Sequence, residues 1–219
     1  RSWSYTPWRK NGDLTTSKQP TKVGIKGLRL KLWLELYTYF YGNASSALTE
    51  AQQRELAQIT PFKQRDLERL LKRYADYDPS ERGVRGITFD VCVTIPEFCG
   101  NKFVPKVIAS YQDSSSKKIF PKQFLLICAV LSSKTPPQKK KEYLFDMFDV
   151  YKTNVFTHDE MFRIYKTLLG STVTDDVILD LTFRALRHPD LVNEGEITKE
   201  EFVKLIPDNE IMQRMTVDL

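Results

Sequence analysis

YLFDMFDVYKTNVFTHDEMF, residues 143–162, reads as a helix, a polar loop and the start of a second helix. Leu144, Phe145 and Phe148 recur at the spacing that lines one helical face, and the polar stretch 149–160 begins on Asp149 and ends on Glu160. The same apolar spacing returns in Leu67, Leu70, Leu71 and Tyr74, and in Phe103, Val104, Val107, Ile108 and Tyr111. Those stripes are the expected core. Strand signals are confined to short pieces such as GIT (86–88), KIF (118–120) and EIT (196–198). Aligned on their central Ile or Phe, they mark four units of roughly 30–40 residues, each a helix, a polar loop and a helix.

The repeat resembles the EF-hand. Its twelve-residue calcium loop needs oxygen at positions 1, 3 and 5, glycine at 6, a backbone carbonyl at 7 and a bidentate carboxylate at 12. The first unit, Asp78 to Val91, is too long, and its closing carboxylate falls on Val91 or beside it at Asp90. In the second, QDSSSKKIFPKQ (112–123), no metal position holds a carboxylate and Lys117 stands where glycine belongs. The third keeps Asp149 and Glu160 but has Tyr151 and Thr153 between them, and Asn154 replaces the glycine. The fourth, DLVNEGEITKEE (190–201), keeps most: Asp190, Glu194, Gly195, a carbonyl from Glu196 and Glu201, with Val192 removing one ligand. The cofactor expectation is therefore none, or at most one weakly bound calcium ion at the fourth loop.

Three stretches are similar to one branch of that superfamily, the calcineurin B-like proteins: IPEFCGNKFVPKVIASY (95–111), GNASSALTEAQ (42–52) and QRMTVDL (213–219). With the repeat spacing, the resemblance covers about residues 42–219. It implies an all-α fold of two lobes, each a pair of EF-hand-like units joined by very short β pairs. It also implies a non-catalytic adaptor or regulatory subunit that holds an amphipathic helix of a partner, a phosphatase catalytic subunit or a membrane transporter, in an apolar groove. The chain divides accordingly into a basic, aromatic extension (1–41), an N-terminal lobe (42–133), a C-terminal lobe (134–207) and a tail (208–219). The seam SSKTPPQKKKE (132–142) reads as a solvated linker, because paired prolines break a helix and Lys139, Lys140 and Lys141 favour water.

Composition bounds the remaining readings. Among 219 residues, 41% are hydrophobic, enough for a sizeable core, and no run of apolar residues is long enough to span a membrane. Cys92, Cys99 and Cys128 are odd in number and far apart, which favours reduced, mostly buried thiols, and His158 and His188 are expected at the surface. No phosphate-binding loop, nucleophile elbow, metal-hydrolase helix or nucleic-acid motif is present in the sequence. An enzyme is not expected. Net charge is +5 where a calcium sensor is normally acidic, so a second reading is a structural EF-hand-like protein on tubulin or axonemal partners. A cytoplasmic location is expected, at the cytoskeleton, a cilium or a membrane face according to the partner. In KGLRLKLWLELYTYFYG (26–42), Trp33, Leu36, Tyr37 and Phe40 form the candidate anchoring face. Gly42-Asn43 matches the family's myristoylation pattern, which serves only if the leader is removed.

Overall fold

The computed structural model describes residues 48–219. Trp33, Leu36, Tyr37, Phe40 and Gly42 lie outside the described residues. Within them the chain is all-α apart from two minimal strand pairs. A leading helix, α1 (Glu50–Ile59), precedes four helix–loop–helix units. These are α2 (Gln64–Ala75), β1 (Ile87–Thr88) and α3 (Phe89–Val93), followed by α4 (Val104–Tyr111), β2 (Lys118–Ile119) and α5 (Pro121–Leu131). The third comprises α6 (Pro137–Phe148), β3 (Val155–Phe156) and α7 (His158–Leu169). The fourth is α8 (Asp175–Leu186), β4 (Ile197–Thr198) and α9 (Lys199–Leu205), and α10 (Asp208–Arg214) follows it.

The aligned residues of the repeat are the ones that pair. Ile87 faces Ile119 across β1 and β2, and Phe156 faces Ile197 across β3 and β4, both antiparallel. Each contact ties two adjacent loops at their eighth positions. Val155–Phe156 carries no strand signal of its own, because two residues cannot show an alternation.

Helix starts explain which loop residues survive. Thr157 and Thr198 cap α7 and α9, and in both helices a glutamate three residues on returns to the threonine backbone, completing a capping box. Those glutamates are Glu160 and Glu201, the closing positions of the third and fourth loops. Thr88 caps α3 alone, and in the second unit Pro121, in the first turn of α5, fills the N-terminal position that needs no amide donor.

Aromatic rings fill the interior. Tyr74 and Phe98 meet Phe124 with ring centroids 5.5 and 6.1 Å away. Phe145 stacks on Phe156 at 4.0 Å, and Phe202 closes edge-on against both. Phe103 of the second unit and Phe148 of the third are 6.3 Å apart, so one contact spans the seam. The first loop folds tightly over this core at Gly83, whose φ is +65°; a Cβ there would lie 2.7 Å from Tyr74 Cε1 and 2.8 Å from Pro121 Cγ. Glycine is required by both conformation and space. Cys92 and Cys128 are buried as expected, and Cys99 is exposed.

The seam differs from the expected solvated linker. Helix α6 begins at Pro137, directly after the paired-proline break, and turns Lys140 and Lys141 inward while Lys139 stays exposed. Lys140 is 0% exposed, and its ammonium donates to Val130 O at 2.9 Å and Met215 O at 2.5 Å. Lys141 donates to Val203 O at 3.1 Å and pairs with Asp208 at 2.6 Å. The unmatched carbonyls at helix ends attract these cations, as the helix dipole would. A lysine run alone could not reveal this, since the acceptors are supplied by segments up to 75 residues away.

Candidate functional site

The four loops close on their own hydrogen bonds. Asp78 is buried and accepts from Ser80 N (3.1 Å), Ser80 Oγ (2.6 Å) and Gly86 N (2.8 Å). Burial opposes its charge, but these donors prevail and hold its carboxyl below the usual carboxylate range. In the second loop Asp113, which is not a ligand position, accepts from Ser115 N, Ser116 N and Ser116 Oγ, while Gln112 Nε2 donates to Lys117 O. Gln123, at the closing position, buries Oε1 without a protein donor.

The third loop keeps the shape of a calcium loop without its ligand shell. Asn154, at φ +57°, makes the left-handed turn usually left to glycine. Asp149 receives Thr153 N at 3.0 Å and Asn154 N at 2.9 Å, one on each oxygen. Glu160 accepts from Thr157 N at 3.0 Å and Thr157 Oγ1 at 2.6 Å, both on Oε2, while Tyr151 points into solvent.

In the fourth loop the candidate ligands are dispersed. Helix α8 stops at Leu186, and Gly195 N donates back to Leu186 O at 2.9 Å. Asp190 faces His188, Glu194 reaches Arg187 Nε at 3.4 Å, and Glu196 is exposed. Glu201 Oε1 accepts from Val192 N at 2.7 Å, and Oε2 accepts from Thr198 N and Oγ1, both at 2.8 Å. The Val192 amide, followed by the Thr198 amide and hydroxyl, depresses the Glu201 carboxyl below its ordinary value. Among the described residues no three acidic, histidine or cysteine side chains converge as a metal cluster. As arranged, the loops do not fit a calcium ion, because amide and hydroxyl donors occupy the oxygens it would need.

The other candidate site is apolar. Helices α7, α8, α9 and α10 enclose an open groove of about 450 Å³, lined by Tyr165, Leu168, Leu181, Leu205, Ile206 and Ile211 among others, with Glu210, Arg214 and His188 also contributing polar groups. Leu168, Leu181 and Leu205 are half-buried, so their side chains remain available. Periodicity alone could not identify this groove. The residues belong to the same apolar stripes as the core, and only the packing of four helices leaves one part uncovered. His158, by contrast, lies against Phe183, 5.1 Å between ring centroids.

The basic excess has a location. Residues 48–219 carry 25 Lys and Arg against 26 Asp and Glu; the remaining eight cations and two anions lie in residues 1–47. The helical body is therefore not the basic surface suggested by the whole-chain charge.

Burial pushes the Lys140 ammonium down to about 8 from its ordinary 10.5. The unfolded chain then holds this proton to higher pH than the folded one, so the group's contribution to stability rises with pH from about 8 to 10.5. We expect the stability difference between wild type and Lys140→Met to grow by up to about 1.4 kcal/mol per pH unit there. Paired denaturant melts measure it, and a flat difference from pH 7 to 10 contradicts the depressed pKa.

No family model matches the chain. It is similar to the calcineurin B regulatory chain of Naegleria gruberi, 25% identical over 178 residues, 81% of this chain and 99% of that protein. The type 1 calcineurin B chain of Dictyostelium discoideum is 24% identical, covering 81% of this chain and 98% of its own length. The type 2 calcineurin B chain of Homo sapiens is 24% identical over 156 residues, 71% of this chain and 91% of that protein.

Proposed function

Because the chain belongs to the calcineurin B-like EF-hand family, we propose that it is a non-catalytic regulatory subunit whose second-lobe groove binds an amphipathic helix of its partner. The observation that carries this reading is the open apolar groove between α7, α8, α9 and α10. Such a trough suits a helix that presents apolar residues at every third and fourth position. The partner chemistry is that of a phosphatase catalytic subunit or of a transporter's cytoplasmic helix. Affinity capture in the presence of a calcium chelator tests it: retention of a catalytic or transport subunit supports the proposal, and recovery of tubulin or axonemal proteins alone overturns it. The near-neutral charge of residues 48–219 removes the main support for the cytoskeletal alternative.

Calcium is not the switch in this reading. Capping boxes retain Glu160 and Glu201, and helix packing retains the frame, whether or not metal binds. Titration calorimetry is expected to find at most one ion, bound more weakly than the roughly 10⁻⁷–10⁻⁵ M of sensor loops. Asp190, Glu194, the Glu196 carbonyl and Glu201 are its proposed ligands, so Glu201→Gln abolishes that heat; the pair Asp149 and Glu160 supplies none. Two tight sites would overturn this account.

A further inference from the structure

Lys140 is an uncommon lysine. It is 0% exposed, no carboxylate lies within ion-pair distance of it among the described residues, and both of its acceptors are backbone carbonyls. One acceptor, Val130 O, is in the last turn of α5 in the second unit; the other, Met215 O, follows the end of α10. The chain after Met215 then runs beside the end of α5. Val217 N donates to Leu131 O at 3.0 Å, Val217 forms a parallel bridge with Ser132, and Arg69 of α2 donates to Leu219 O at 3.1 Å. Met215 and Val217 are buried along this path.

We propose that the Lys140 ammonium is a latch between the two pairs of units, holding residues 215–219 in one register along the end of α5 and thereby fixing α10 as a wall of the groove. Two helix C-termini offer carbonyls that α-helical geometry leaves unmatched, and one buried cation satisfies both. An unpaired buried ammonium brings little net stability, since leaving water costs what the carbonyls return. Its contribution is to specify one arrangement over nearby alternatives. Met215, adjoining α10, transmits that choice to Ile211, which is buried and lines the groove.

The functional consequence rests on the groove being a docking surface, but the test needs no partner, so the two readings fail separately. In Lys140→Met, which retains the apolar stem, amide exchange at Val217 is expected to quicken at least about tenfold relative to wild type. Lys139→Met removes the same charge from the exposed neighbouring position and leaves that exchange unchanged. Unaltered protection of Val217 in Lys140→Met overturns the latch. Should Lys140→Met fail to fold, wild-type protein labelled with an amine-acetylating reagent and read by mass spectrometry still decides. Lys140 must react at least about tenfold more slowly than Lys139, and Val217→Pro, which deletes the amide donated to Leu131, must speed it. Equal labelling of Lys139 and Lys140 in the folded wild type refutes the proposal.

Discussion

Phe145→Ala is expected to destabilise the protein by about 3–5 kcal/mol, the range for removing a fully buried aromatic ring. Phe145 is 0% exposed, stacked at 4.0 Å on Phe156 and set edge-on to Phe202 at 5.5 Å. Its loss opens a cavity where helix α6 meets the paired loops of the third and fourth units. The surrounding rings are fixed by β3 and β4, whose Phe156 and Ile197 face each other, so collapse into the space is limited. Chemical denaturation measures the change, and a loss below about 1 kcal/mol would show that this cluster is not the centre of the fold.

Leu168→Asp is expected to act oppositely: capture of the partner helix falls by about a hundredfold or more, while stability changes by less than about 1 kcal/mol. Leu168 lines the groove and is half-buried, so an aspartate can reach water in the free protein. When a helix covers the groove, that carboxylate loses its hydration without gaining a cation, which costs several kcal/mol. Binding of a captured partner compared at matched salt would reveal it. Undiminished capture by a folded Leu168→Asp protein would move the docking surface elsewhere. Phe145→Ala and Leu168→Asp thus separate the part of the apolar surface that folds the chain from the part proposed to bind another.

Reading the fold needed little beyond period and punctuation. Leu67, Leu70, Leu71 and Tyr74 are all buried on α2, and Leu144, Phe145 and Phe148 on α6, as their spacing required. The four-unit repeat was legible because the residues used to align it, Ile87, Ile119, Phe156 and Ile197, occupy equivalent places and pair across the loops. Loss of calcium ligands was also legible residue by residue. Less visible was why two end carboxylates remain, since a glutamate three residues after a threonine fits both a capping box and a calcium loop. In the structure Glu160 and Glu201 serve the caps.

What the sequence by itself determined is what depends on near neighbours: helix faces, caps, the left-handed turn at Asn154 and the ruin of the metal loops. Only the tertiary structure decided matters that depend on residues distant in the chain. Lys140 and Lys141 read as solvated because nothing near them in sequence offers a partner, yet Met215 and Asp208 fold back to receive them. Leu168 and Phe148 are alike as letters on a stripe, but Phe148 is buried against Phe103 while Leu168 lines an open groove. The free energy of a buried cation or an uncovered leucine is set by what surrounds it in space. That environment is assembled from several helices and is carried by no single stretch of the chain.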